Sequence, residues 1–325
     1  FLDNSVYQIY ADVAWDQNIY GTGIKIAVLD TGIDSSHPML KGKVILQVDF
    51  TGTGVNDSYG HGTHVAGIIT GNGTYTGVST GVQIYNGKVL DDSGSGYLSW
   101  LINGINWAMD PDNNPLTDDG ADIISLSLGA TYSGEPEELL TSPEVEKIRE
   151  AISRGIVVVI ASGNCGIEGE SSGCNGFYGV TTPGITSEAI TVGAVNDNNE
   201  WASFSGGDII NDIIKPDIVS PGVDICSSVP WGYECWSGTS MATPHVAGAV
   251  ALLLEKYDDL NPFDVKEILE ETALDLGDAG KDVMYGSGLV DLSTALDYQL
   301  TTSLFPKINS VLIESGIIKE PVRIT

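Results

Sequence analysis

The sequence predicts an α/β protein organised on a mostly parallel sheet, and three observations carry that expectation. Short, largely apolar runs recur at 24–29, 123–128, 156–160 and 190–195, and runs of this length and composition read as strands buried on both faces. Helical patterns such as 98–109 and 143–155 lie between them, the order expected of parallel strands with crossovers. Glycine, 40 of 325 residues, gathers in the connections, as in α/β proteins with many short loops.

Taken in order, residues 1–23 are polar and aromatic, with Val13-Ala14-Trp15 at the centre of a short helix ahead of Gly21-Thr22-Gly23. Strand 24–29 delivers Asp30 to its carboxyl end, where open α/β sheets collect their chemistry. Residues 44–50 form another strand, and the polar loop 56–60 leads into a small-residue helix beginning at His61. Strand 83–90 precedes Gly94-Ser95-Gly96 and helix 98–109. Segment 110–122 holds five Asp and two Asn. Its oxygen donors Asp110, Asp112, Asn114, Asp118, Asp119 and Asp122 are candidate calcium ligands, with a solvated acidic turn as the competing reading. It is not an EF-hand, because Pro115 and Ala121 stand where that loop needs Gly and Glu. Strand 123–128 runs into Ser127-Leu128-Gly129. Helix 143–155 carries Val145, Ile148 and Ile152 on one face. Strand 156–160 ends in Ala161-Ser162-Gly163-Asn164, and 190–195 is followed by a polar turn. Residues 238–245 then lead into the apolar run 246–254, a buried helix entered from a tight loop. Ser240 stands at its entrance, where unpartnered N–H groups and the dipole favour a developing negative charge; Pro244 suits a first or near-first turn. Helix 262–274 and the segment 286–290 close the domain.

Composition narrows the function. With 44 acidic and 14 basic residues the formal charge is −30, which disfavours nucleic acid or an anionic membrane as partner. High-salt adaptation and calcium binding are both compatible with it. No apolar run reaches the length of a transmembrane span. The chain opens at Phe1 without a signal-peptide pattern, suggesting a processed or recombinant mature form. Cys165 and Cys174, and Cys226 and Cys235, are each nine positions apart. Three disulfide connectivities are possible, two local rings being the simplest. Zinc is the rival, but no C-x-x-C spacing supports it. Disulfides imply an oxidising, extracellular setting.

An acid at a strand end and a His and a Ser at two helix entrances are the parts of a Ser-His-Asp triad. Asp30-Thr31-Gly32, His61-Gly62-Thr63-His64-Val65-Ala66-Gly67 and Gly238-Thr239-Ser240-Met241-Ala242 resemble the three signatures of the subtilisin-like serine proteases. The order Asp, His, Ser separates that family from chymotrypsin-like proteases and α/β-hydrolases. The resemblance spans roughly residues 5–298 and implies a three-layer sandwich, a central twisted sheet flanked by helices. It implies a catalytic domain over 1–300, with 301–325 as an extension whose alternating apolar positions suit a docked hairpin. It also implies a secreted, broad-specificity endopeptidase, monomeric, made with an N-terminal propeptide and stabilised by calcium. In this scheme His61 is the base, Asp30 orients it, and Ser240 attacks through an acyl-enzyme with Asn164 as oxyanion donor. Gly94-Ser95-Gly96 pairs with extended substrate, while Ser127-Leu128-Gly129 and Ala161-Ser162-Gly163 border the pocket for the residue before the scissile bond. Glu168 and Glu170, near that pocket, would favour a basic residue there.

His64 and His245 are expected to be structural, since His61 and His64 lack the i, i+4 spacing and Glu of a metalloprotease. One departure from the family is Met39 after His37-Pro38, where many subtilisins carry an acidic calcium ligand. The following loop 71–77 is also short, so that calcium site is expected to be missing. The rival functions are a narrow processing protease or exopeptidase, and an inactive binding module.

Overall fold

A computed structural model describes residues 2–134, 136–166, 174–257 and 259–299. Its strands are β1 (Lys25–Asp30), β2 (Val44–Asp49), β3 (Gln83–Lys88), β4 (Ile123–Leu126), β5 (Val157–Ala161), β6 (Ile190–Val195), β7 (Asp208–Ile210), β8 (Ile213–Lys215), β9 (Ile218–Pro221), β10 (Ile225–Val229) and β11 (Gly232–Trp236). Its helices are α1 (Leu2–Gln8), α2 (Ala11–Asp16), α3 (His61–Thr70), α4 (Leu98–Met109), α5 (Pro136–Leu139), α6 (Pro143–Ser153), α7 (Thr239–Lys256), α8 (Pro262–Thr272) and α9 (Leu292–Ala295).

Seven strands form one sheet in the order β2-β3-β1-β4-β5-β6-β9, and every pairing in it is parallel. Strand alternation splits the core in two. Ile26, Val28, Val157 and Val159 pack with Val65 and Ile68 of α3 and Val246 and Val250 of α7. Ala27, Leu29, Val158 and Ile160 face the opposite way, onto Ile105 of α4 and Ile148 of α6. The fold is therefore the expected three-layer α/β sandwich. Helix α7 is buried from Met241 to Leu253, which accounts for its all-round small and apolar sequence. From β1 the chain builds β2 and β3 on one side, then crosses to β4 on the other. This reversal leaves a crevice at the carboxyl end of β1, and Asp30 stands there.

The antiparallel pairs β7–β8 and β10–β11, and helix α1, were not legible in the sequence. Cys226 and Cys235 face each other across β10–β11 and are bonded, as are Cys165 and Cys174. The second ring is thus a stapled hairpin. Glu168, Glu170 and residues 301–325 lie outside the described residues.

Candidate active site

Glycine lets α3 reach the end of β1. A Cβ on Gly62 would stand 2.1 Å from the Gly32 carbonyl oxygen and 3.1 Å from Asp30 Cβ, so only hydrogen fits. The entrance of α3 has a left-handed glycine, Gly60, at the N-cap and no side-chain cap of its own. Asp57 supplies one, accepting from the N–H groups of Gly60 (2.7 Å) and Thr63 (2.9 Å) and from the Thr31 hydroxyl (2.8 Å). It thereby ties the loop after β1 to the start of α3, fixing His61 over Asp30.

His61 Nδ1 lies 2.7 Å and 2.9 Å from the two Asp30 oxygens, and the Thr31 N–H donates to Oδ1 at 2.7 Å. An ionised carboxylate only accepts, so the imidazole proton belongs on Nδ1 and Nε2 is left basic. Burial opposes charging of His61, but the Asp30 carboxylate, with Asp57 behind it, outweighs burial and raises its pKa above 6.5. His64 and His245, both fully buried, behave oppositely. Burial pushes His64 down to about 3 and His245 down to about 4. His64 stacks on Trp236 and bonds the Glu234 carbonyl, while His245 bonds Ser5 and the Met241 carbonyl.

Ser240 lies in the first turn of α7. Pro244 sits deeper than the sequence suggested, inside the helix, where its missing N–H deprives the Ser240 carbonyl of its usual partner. Ser127 repairs this: its hydroxyl donates to the Ser240 carbonyl at 2.9 Å, and its carbonyl accepts from Ser240 Oγ at 3.1 Å. The orientation of Asn164 is set by the Thr239 N–H, a donor that cannot be reversed, and the Thr239 hydroxyl follows it. The Thr239 N–H and hydroxyl donate to its Oδ1 at 2.9 and 3.0 Å, so its NH2 lies on the other side, facing Gly238. His61, Asn164, Trp236 and Ser240 border one cavity of about 260 Å3.

Two larger cavities meet along Leu128, Gly129 and Ala130. One, about 520 Å3, also touches Gly94-Ser95-Gly96, Ser127, Thr31 and His61. The other, about 490 Å3, touches Ala161, Gly163, Asn164 and Ser240. Ser162 is fully buried and its backbone pairs with Val192 and Thr181, so it supports this turn from behind.

Residues 21–288 match the Subtilase family. The chain belongs to the subtilase family. It is 41% identical over 297 residues to subtilisin amylosacchariticus of Bacillus subtilis subsp. amylosacchariticus, covering 89% of this chain and 70% of that protein. It is 40% identical to the subtilisin of Bacillus pumilus, over 89% of this chain and 97% of that protein. Against the intracellular serine protease of Paenibacillus polymyxa it is 38% identical, over 90% and 86%. This subtilase is a serine endopeptidase.

In this subtilase the acidic segment gathers fewer ligands than the sequence suggested. Oxygens of Asp110, Asp112 and Asp119 come within 4.8 Å of one another. Asp122 instead turns to the Lys25 N–H at 2.7 Å, and burial raises its pKa; Asp118 lies with it around a separate depression. Asn114 turns its side-chain oxygen to the Leu116 N–H. Near Pro38, Met39 is buried under Gly71 and Gly73, an apolar side chain at the position that the sequence singled out as a departure from the family. Sequence reasoning missed Asp57, the Ser127–Ser240 exchange and the Thr239 lock on Asn164. An Asp three residues before the N-cap glycine was the available signal for the first; the others join distant segments and left none.

Proposed function

We propose that this subtilase cleaves protein substrates through an acyl-enzyme on Ser240. The reading rests chiefly on the 2.7 Å bond between His61 Nδ1 and Asp30 beside the cavity that Ser240 borders. On substrate binding Ser240 Oγ rotates from the Ser127 carbonyl to His61 Nε2, gives up its proton and attacks the peptide carbonyl. The new oxyanion is met by the Ser240 N–H and the Asn164 NH2. His61 then hands its proton to the leaving amine and next activates the water that releases the acyl group.

Substrate lies extended between Gly94-Ser95-Gly96 and Ser127-Leu128-Gly129, held mainly through its backbone, which favours broad specificity. The residue before the scissile bond enters the cavity of Ala161, Gly163 and Asn164. Two disulfides favour a secreted enzyme, in contrast to the Paenibacillus polymyxa relative that is named as intracellular. Residues 1–300 act as one monomeric catalytic domain made with a removable propeptide, and 301–325 as an appendage. Calcium is the structural cofactor, and Asp110, Asp112 and Asp119 would hold it, their hard oxygens suiting that ion and their mutual repulsion being relieved by it.

The test compares hydrolysis of a denatured protein by wild type and Ser240→Ala, with and without a serine-directed phosphonylating reagent. Activity is expected to vanish with either change; a variant that keeps it would refute Ser240 as nucleophile.

A further inference from the structure

Among the described residues, one buried carboxylate on the cleft has no task in the reaction. Glu144 is the second residue of α6, on the stripe that also buries Val145, Ile148, Ala151 and Ile152. It is 5% exposed. Its Oε1 accepts from the Thr182 hydroxyl at 3.1 Å, whereas Oε2 has no partner among the described residues. The cations of the same helix are engaged elsewhere, Lys147 with Glu150 and Arg149 with Glu146 and Glu188. The positive end of α6 favours negative charge at this position but sends no donor to Oε2. A desolvated acceptor left unmade costs stability, and an apolar side chain on this stripe would avoid that cost. Glu144 and Thr182 both border the larger cavity of the cleft.

Substrate geometry says what reaches that corner. An extended chain sends alternate side chains to opposite sides. With the residue before the scissile bond in the cavity beside Asn164, the second and fourth residues upstream turn into the other cavity. Its wall runs from Ser127, bonded to Ser240, to Ala130, which pairs with Thr182 in both directions. The second residue therefore meets His61 and the fourth approaches Thr182 and Glu144. Leu98, Leu101 and Leu128 line the way, an apolar surface suited to the aliphatic stem of a long cationic side chain.

We infer that Glu144 makes this subsite select lysine or arginine four residues upstream of the cleaved bond, the cation supplying the donor that Oε2 lacks. The inference rests on the cleft being the substrate site, and its selectivity belongs to one carboxylate. The overall acidity of the chain also attracts cations, but that attraction is screened by salt far more than a buried pair is.

The experiment uses quenched fluorescent peptides identical except for lysine, arginine or norleucine at that position, assayed in low and high salt. Wild type is expected to prefer the cations by roughly tenfold or more in kcat/KM, with the preference surviving high salt. Glu144→Gln should erase it and Glu144→Leu should reverse it toward norleucine. Glu146→Gln, an exposed acid on the same helix, should keep it. Equal rates for lysine and norleucine in wild type, or a preference unchanged in Glu144→Gln, would overturn the inference. The same peptides are titrated onto Ser240→Ala to measure affinity without cleavage. If wild type cleaves nothing while Ser240→Ala still binds the lysine peptide selectively, the inference stands and the proposed catalysis fails; unselective binding sinks the inference itself.

Discussion

Replacing Asp30 by asparagine exchanges one oxygen for nitrogen and removes the charge that governs His61. The Thr31 N–H donates to Oδ1 at 2.7 Å, so an amide in this place keeps its oxygen there. Its NH2 then occupies the Oδ2 position, 2.9 Å from His61 Nδ1. That NH2 can only donate, so wherever it engages Nδ1 in place of the oxygen 2.7 Å away, Nδ1 accepts and the imidazole proton moves to Nε2. A protonated Nε2 cannot take the proton of Ser240. The expected loss in kcat is about 10⁴-fold, the size known for neutralising the equivalent carboxylate in other serine proteases. It corresponds to about 5.4 kcal/mol of barrier. The pH profile moves as well. His61 works deprotonated, and burial lowers its pKa while Asp30 raises it to a net position above 6.5. Wild-type activity should therefore climb with pH through a midpoint above 6.5. In Asp30→Asn burial is opposed by Asp57 alone, and the midpoint of the residual activity should fall. The assay is kcat/KM on a chromogenic peptide across the titration range of histidine, with thermal unfolding as a control for folding. A folded variant losing less than about tenfold, roughly 1.4 kcal/mol, or one whose midpoint does not move, would refute the reasoning.

Asn164→Ala should lower kcat by roughly 100- to 1000-fold with KM little changed, the range measured for an oxyanion-hole asparagine in subtilisin itself; a change confined to KM would assign Asn164 to substrate binding instead. Asp217 is fully buried, accepts from Lys215 at 2.5 Å and Lys281 at 2.9 Å, and pairs ionically with Lys266 at 3.0 Å. Asp217→Asn leaves the buried Lys215 without its counter-charge and should cost about 3–5 kcal/mol in denaturant unfolding. Burial acts to raise the Asp217 pKa, but the three lysines outweigh it and hold the carboxyl far below 3.8. Its contribution is therefore present above that pH and lost on acidification below it. Acid unfolding of the variant should be correspondingly less steep there, and an equal slope would refute the sign. Saturating calcium should raise the melting temperature, by about 2.7 kcal/mol of stabilisation at a hundred times Kd. Asp112→Asn should abolish the increment, whereas indifference of wild type to calcium and chelator would remove the ion from the account.

Local sequence carried much of the site. Asp30 was placed by the apolar run before it, since a buried parallel strand must end in the crevice at the sheet's carboxyl edge. Helix α4 and strand β6 fell at the expected residues because their periodicity and flanking glycines are local signals. The six possible calcium ligands were not resolved by the same means. Composition marks a run of Asp but not which carboxylates converge, and only the fold turned Asp122 to the Lys25 N–H of β1. Glu144 shows the limit more sharply. It stands four residues before Ile148 on the buried stripe of α6, a visible irregularity, but the cavity it borders is built from segments remote in sequence.

By itself, then, the sequence determined the layered parallel sheet, the order of Asp30, His61 and Ser240 along the chain, and their positions at element ends. These follow from spacing along the chain and from glycine's conformational freedom. The tertiary structure alone decided that Ser127 would satisfy the carbonyl orphaned by Pro244, that Thr239 would aim the amide of Asn164, and that Glu144 would keep one oxygen unpaired. Each depends on which donor meets which acceptor across many residues of intervening chain, and hydrogen-bond satisfaction is settled only when the folded surfaces close on one another.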